Sequence, residues 1–268
     1  MIAALAAIAP SGVSAQVVPE DLRRDRLEFD RWLKDAPTSP FRALVMQAIG
    51  PGITLGPKTA DIPLAGQGLI RIEERRGVPT LIVDGASRPL GRNRVVSLGS
   101  HQVVAAGPAG RAVVVAYQEA GGRYHTPAYY PYCAECRFLV QLTPAGQPGT
   151  ARILAPDGVE AEATEAGTVT VPLRSGPVTF RVLRIPSPEG EESELEIFFR
   201  DGTNGKGSYP AGRFVALVPS PNGRFVLDFN RSRNPFCAYN TVYPCPAPWR
   251  GNAATAAITA GEQYVSHP

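Results

Sequence analysis

At 268 residues the chain is long enough for one large or two modest apolar cores, and its 27 glycines and 27 prolines favour short strands and frequent turns over helical architecture. The formal charge of +3 comes from lysines and arginines scattered singly, away from aromatic clusters, which argues against a nucleic-acid partner. No run approaches the roughly 20 apolar residues of a membrane-spanning helix, so no membrane span is expected.

The first fifteen residues, MIAALAAIAPSGVSA, resemble the end of a secretory signal. Ile2 to Ile8 supply a short apolar run, and Val13-Ser14-Ala15 places small residues before a cleavage point at Gln16. An exported chain, periplasmic or secreted, is the expectation. Residues 16–45 read as a docking helix and linker. Pro19 to Asp35 begins with proline and two acids, as a first helical turn prefers, and Leu22, Phe29, Trp32 and Leu33 share one face. Arg23-Arg24-Asp25-Arg26 reads as a solvated helix surface. Ala36-Pro37-Thr38-Ser39-Pro40 stops the helix, and the pattern of Phe41 to Ile49 leaves helix and strand open.

From residue 46 to 120 the period changes to two. Seven apolar runs, Ile53 to Leu55, Ile62 to Leu64, Leu69 to Ile72, Pro79 to Val83, Val95 to Leu98, Gln102 to Ala106 and Ala112 to Tyr117, predict seven short strands of a β-sandwich. Gly121-Gly122 and the aromatic stretch Thr126 to Cys136 mark the boundary to a second β domain, 121–268. Its expected strands are Phe138 to Leu142, Ala151 to Leu154, Glu160 to Thr164, Thr168 to Leu173, Val178 to Ile185, Leu195 to Phe199 and Ala256 to Thr259. A hairpin, Phe214 to Val218 with Phe225 to Phe229, turns at Pro219 to Gly223. The fold class is therefore all-β: two β-sandwich-like lobes, an amino-terminal docking helix, and a long loop, Arg231 to Pro248, rich in proline and cysteine. No fixed-period repeat suggests a solenoid or propeller.

Two constellations carry chemistry. Cys133, Cys136, Cys237 and Cys245 in an exported chain read as disulfides, with Cys237 and Cys245 closing a small loop, although three connectivities are possible. The alternative is zinc held by all four thiolates, since Cys-x-x-Cys spacing suits a tetrahedral ion. The wider second spacing favours disulfides, and no other cofactor is expected. The polar set comprises Asp201, Thr203, Asn204, Arg213, Asp228, Asn230 and Asn234, with Tyr130, Tyr209 and Tyr239. Paired carboxylates beside an arginine can form an acid/base pair or a substrate clamp; turn-forming residues can equally satisfy a buried loop's backbone. The chain has no nucleophile elbow, His-Glu-x-x-His, phosphate loop or Rossmann glycine pattern. Its histidines, His101, His125 and His267, all lie outside the polar segment.

The string Phe199-Arg200-Asp201-x-Thr203-Asn204-Gly205-x-x-x-Tyr209-x-x-Gly212-Arg213 is followed by Val226 to Asn230, Asn234-Pro235-x-Cys237-Ala238-Tyr239, Cys245-Pro246 and Ala260-Gly261-Glu262. It resembles the uncharacterised bacterial family catalogued as domain of unknown function 1684. The match is strongest over Phe199 to Glu262 and extends more weakly through Tyr130-Pro131 to the helix with Trp32. Where the family usually lacks cysteine this chain has Cys133 and Cys136, and where the family is commonly prolyl it has Phe236 and Trp249. The resemblance implies a fold without an activity, and an amino-terminal lobe similar to forkhead-associated sandwiches, echoed by Leu55-Gly56 and Asp61-Ile62-x-Leu64. Such modules read phosphothreonine through a Ser-x-x-His turn. This chain has Ala65-Gly66-Gln67-Gly68 there.

These readings give one leading expectation and two rivals. The first is an exported, non-catalytic binding protein that holds a small polar ligand or a protein partner at the face formed by Tyr130, Asp201, Arg213, Asp228, Asn230, Asn234 and Tyr239. The second is a hydrolase or lyase using Asp201 or Asp228 as base and Arg213 as clamp. The third is a structural envelope protein. The enzyme reading requires both aspartates to meet Arg213 in one pocket, and all the site readings require the loop 231–248 to fold back over the acidic strand ends.

Overall fold

The computed structural model describes residues 17–119, 122–186, 193–247 and 249–265. The expected signal segment and His267 lie outside these residues. Among the described residues strand dominates and no helix is long and apolar enough to cross a membrane.

Helix α1, Glu20–Asp35, follows Pro19, with Glu20 and Asp21 in its first turn and Lys34 in its last. This charge order complements the helix dipole. Leu22 and Leu33 are buried, and Phe29 and Trp32 stack beside them with ring centres 5.9 Å apart. Arg26 does not face solvent as expected: its guanidinium lies 4.2 Å from the centre of the Tyr129 ring. A short 3-10 turn at Pro40–Arg42 then resolves the ambiguous segment as turn followed by strand.

The first lobe contains β1 (Ala43–Ala48), β2 (Ile53–Gly56), β3 (Ile62–Pro63), β4 (Ile70–Arg75), β5 (Val78–Val83), β6 (Ala86–Pro89), β7 (Val96–Leu98), β8 (His101–Ala106) and β9 (Val113–Gln118). They form two sheets, β1-β9-β8-β7 and β3-β2-β4-β5-β6. Leu55, Ile72 and Leu81 of one sheet meet Val103, Val114 and Ala116 of the other in a shared core. The seven expected strands are present. The two additional ones lacked a legible pattern, since all four residues of β6 are exposed and β1 buries only Ala43 fully. Gly56 is required where β2 passes Gly68, because a Cβ at its φ of +135° would stand 2.2 Å from the Gly68 carbonyl oxygen.

The second lobe is one antiparallel sheet of β10 (Arg137–Val140), β11 (Thr143–Pro144), β12 (Thr150–Leu154), β13 (Glu160–Leu173), β14 (Gly176–Pro186), β15 (Ser193–Phe199), β16 (Arg213–Ser220) and β17 (Arg224–Asp228). The order is β10-β17-β16-β15-β14-β13-β11, with β12 also on β13. Glu160 to Thr164 and Thr168 to Leu173 are one strand with a register shift between Glu165 and Gly167. Such a bulge bends a strand without ending it.

Alternation along these strands separates two faces. Phe180, Val182, Ile197, Phe199, Val215, Leu217 and Leu227 point inward, and Ala254, Ile258 and Ala260 of the carboxy-terminal segment close over them. That segment was expected to include a strand at Ala256 to Thr259. It has none: it bonds Gly202 N to Ala256 O at 2.9 Å and otherwise follows the sheet as irregular chain. On the outer face Phe198 and Phe214 stack beside Trp249, and Phe29, Trp32 and Arg233 bring α1 and the loop alongside.

Candidate functional site

The expected polar residues divide into three groups. On the inner side Arg213 has no exposed surface. It donates to Asp201 Oδ2 at 2.7 Å, to the Ile258 carbonyl at 2.9 Å, and to the carbonyls of Ala260 and Glu262. The Asp201 Oδ1 accepts Thr203 N at 2.7 Å and Thr203 Oγ1 at 2.6 Å, while Asn204 Oδ1 accepts Asp201 N. Tyr130 borders this group, its ring centre 5.7 Å from the guanidinium. Every strong partner here is the chain's own backbone or turn, so Asp201 and Arg213 clamp the carboxy-terminal segment onto the sheet.

Asp228 stands apart, on the outer face. Its Oδ1 accepts Asn230 N and Nδ2, and its Oδ2 lies 4.0 Å from Arg137 and 3.8 Å from Arg231. Asn230 also exchanges hydrogen bonds with the backbone of Cys133. The two aspartates therefore do not meet Arg213 in one pocket, as the hydrolase or lyase reading requires: Asp201 bonds it on the inner face, and Asp228 leaves the sheet on the outer face.

The third group surrounds Glu262, which is 1% exposed. Its carboxylate accepts Tyr239 Oη at 2.6 and 2.8 Å and Asn234 N at 2.9 Å. Burial lifts this acid to about 7 against those bonds, and burial together with Glu262 holds the Tyr239 phenol well above its usual range. Sequence reasoning missed Glu262 as a site residue, although Ala260-Gly261-Glu262 was among the recognisable strings. His125 packs against Phe41, ring centres 4.9 Å apart, and borders a cavity of about 80 Å³ beside Tyr239.

The loop 231–248 does not close over Asp201. Its Asn240 side chain donates to the carbonyls of Pro40 and Ala43 at 3.0 and 2.8 Å, and Tyr243 reaches Tyr117, so it straps the second lobe to the first. The carboxy-terminal segment covers Asp201 instead. The start of the loop does wall a cleft of about 860 Å³ between α1 and the outer sheet face. Asp228 and Asn234 line it, with Phe29, Trp32, Ala216 and Phe236 as apolar wall. Arg231 pairs with Asp21 at 2.6 Å and Asp25 at 3.4 Å, and Arg233 pairs with Asp25 at 2.9 Å.

At the far end of this cleft stands Glu196, which the sequence presents only as one more outward acid on an alternating strand. Its Oε2 is buried and makes no hydrogen bond. Burial, then the like charges of Glu194 and Asp157, push its carboxyl up to about 8, opposed by Arg233. A carboxyl held protonated at neutral pH can donate a hydrogen bond, and on losing that proton it can pair with a positive charge.

Of the expected cysteine pairs, the sulfurs of Cys133 and Cys136 lie at bonding distance, whereas Cys237 and Cys245 are free thiols. The Cys237 thiol, raised to about 12 chiefly by burial, neighbours Cys245, and Tyr209 Oη lies 3.2 Å from the Cys245 sulfur. Among the described residues no three histidine, cysteine or acidic side chains gather closely enough to hold a metal ion, so the four-thiolate zinc alternative lacks a common centre.

A family model described as protein of unknown function (DUF1684) matches residues 123–263, the whole second-lobe sheet and its closing segment but not α1. The solution NMR structure of an uncharacterized protein from Haloarcula marismortui is similar, at 28% identity over 52% of this chain and 77% of that chain, with a TM-score of 0.45. No curated protein matches the chain.

Proposed function

The chain belongs to the family described as protein of unknown function (DUF1684), and for this member we propose a non-catalytic role: an exported binding protein that holds a small polar ligand in the cleft between α1 and the outer face of the second-lobe sheet. The observation that carries this reading is the cleft itself. Its volume of about 860 Å³ falls in the range typical of small-molecule sites, and it combines aromatic walls with a few convergent polar groups. Two of those groups, Asn234 Oδ1 and Glu196 Oε2, are buried without a hydrogen bond. Buried polar atoms ordinarily have partners, and a ligand supplies them. Asp228 and Asn234 contribute directly in this reading, while Asp201, Arg213, Asn230 and Tyr239 hold the surrounding backbone.

Thermal unfolding of the purified protein against a panel of amines, carboxylates, sugars and amino acids tests the reading. At least one compound is expected to raise the Tm by several degrees through mass action, and A216W, which fills the cleft, is expected to abolish that shift. A panel without a single stabilising compound, or a shift retained in A216W, overturns it.

Export forms part of the proposal and is supported by the apolar run Ile2 to Ile8 with Val13-Ser14-Ala15. A bond between the adjacent Cys133 and Cys136 suits an oxidising compartment. Alkylation of the denatured protein is expected to add two adducts, at Cys237 and Cys245, without reductant, and four with it; four adducts without reductant would dismiss the bond. The forkhead-associated-like reading of the first lobe also belongs here, supported by its two facing sheets and by Leu55-Gly56 in β2 beside Asp61-Ile62 at β3.

A further inference from the structure

Past Glu194, Glu196, Pro156 and Phe236 the cleft continues into a second cavity of about 430 Å³ at the junction with the first lobe. Five carboxylates line this inner chamber, Asp157, Glu160, Glu162, Glu194 and Glu196, and no lysine or arginine is among its lining residues. Two of the five have a cation from outside: Arg111 reaches Glu160 at 2.8 Å and Glu162 at 3.3 Å. Three have none. Glu194 is exposed, Asp157 uses Oδ1 to accept Val159 N at 3.0 Å, and Glu196 Oε2 is sealed from solvent without a partner. The remaining wall is apolar, from Val159, Ala161, Ile185 and the ring of Phe236.

We infer that the ligand of the cleft is an organic cation, an ammonium or guanidinium group on an apolar body, whose charge rests among Asp157, Glu194 and Glu196. This deepens the binding reading above and rests on it. Like-charged carboxylates beside low-dielectric walls set up a negative potential that draws a cation in. Aromatic faces add to the attraction, and Phe236 and Trp32 stand together with ring centres 5.7 Å apart. The opposite choice, an anion, would look to Arg137, Arg231 and Arg233, yet Arg231 and Arg233 already pair with α1 carboxylates, and Arg137 stands outside the inner chamber, 4.0 Å from Asp228. A bare metal ion is disfavoured by the spread of the acids, since no three of them converge on one point.

Proton balance gives the inference its signature. Unliganded Glu196 keeps its proton near neutral pH because burial, Glu194 and Asp157 disfavour its charge, Arg233 alone opposing them. Across the cleft α1 presents Asp25 and Glu28, which add further negative charge. An arriving cation lets Glu196 ionise, so binding releases a proton to the buffer, and affinity rises with pH as that proton becomes easier to lose.

Isothermal titration calorimetry with phenethylamine, agmatine and choline tests this, alongside phenethyl alcohol as neutral analogue and phenylpropionate as anionic analogue. The cations are expected to bind wild type with a buffer-dependent enthalpy. Their affinity should weaken roughly tenfold or more in Glu196→Gln, as loss of a charged hydrogen-bond partner costs, and should vanish in A216W. If the neutral or anionic analogue binds and no cation does, with A216W blocking it, the cation inference falls while the binding reading stands. If nothing of any charge binds, both fall. Equal cation affinity in wild type and Glu196→Gln, with no proton released, also overturns the inference.

Discussion

Asp201→Ala is expected to lower stability by about 3–5 kcal/mol, the cost of breaking a buried ion pair by removing one partner, and to lower the Tm by on the order of 10 °C. Among the described residues the carboxylate is the only acid hydrogen-bonded, at 2.7 Å, to the Arg213 guanidinium, which has no exposed surface. Its removal leaves that charge inside the lobe with only the carbonyls of Ile258, Ala260 and Glu262. The turn loses its anchor as well, because Thr203 N and Oγ1 both donate to Asp201 Oδ1. Asp201→Asn, which keeps an acceptor but not the charge, is expected to fall between alanine and wild type. Asp228→Ala serves as the comparison: its nearest arginine atoms stand at 3.8 and 4.0 Å, one of them on a side chain 54% exposed, and such looser pairs contribute no more than about 1 kcal/mol. Urea unfolding followed by Trp249 and Trp32 fluorescence measures the difference. Equal midpoints for the Asp201 and Asp228 variants would show that the clamp does not hold the carboxy-terminal segment in place.

Glu196→Gln is expected to stabilise the unliganded protein in alkali and to leave it nearly unchanged in acid. The folded carboxyl keeps its proton up to about pH 8, whereas an ordinary glutamate releases it near 4.5. Between those values the unfolded chain binds fewer protons than the folded one, so stability falls as pH rises through that window and is level above it. Glu262, raised to about 7, adds a second loss that ends lower in the window. Glutamine cannot titrate, so the difference between variant and wild type isolates Glu196. The residue as a whole is half-buried although its Oε2 is sealed, so solvent screens the full linkage to on the order of 2 kcal/mol in favour of the variant above pH 8. Unfolding midpoints collected from acid to alkali should diverge steadily across the window. Parallel curves, or a variant that is less stable in alkali, would mean that Glu196 is ionised and answered in the native protein. A gain in stability with a loss of cation binding is the exchange expected of a residue kept for function.

Much of the fold was written locally. Period-two alternation with glycine and proline breaks located most strands, and Pro19 with its following acids fixed the start of α1 to within a residue. The failures have a common cause. The two expected strands Glu160 to Thr164 and Thr168 to Leu173 merged because a bulge, unlike a turn, leaves no distinctive local signal. The strand expected at Ala256 to Thr259 did not form because Ile258 turns its side chain onto the inner core and its carbonyl to Arg213, while the Ala256 carbonyl accepts from Gly202 N. Cys237 packs into the apolar contact with Tyr117 and Tyr243 that joins the lobes while its thiol still neighbours Cys245, a placement that spacing alone does not show.

The site was legible only in part, and for the same reason. Asp201, Arg213, Asp228 and Asn230 announced themselves as polar residues at strand ends, yet whether a given carboxylate faces a cleft or a loop amide depends on which side of the sheet it leaves. That parity places Asp228 in the cleft and Arg213 in the core. What the sequence by itself determined was the all-β class, the docking helix, the hairpin and the dense polar segment, because each follows from the preferences of neighbouring residues. Only the tertiary structure decided that Glu196, Asp157 and Glu194 share a chamber beside Phe236. Glu194 and Glu196 share β15, whereas Asp157 stands in a turn and Phe236 in the loop, far apart in the chain, and the burial that changes Glu196 exists only once the lobes and α1 have packed together.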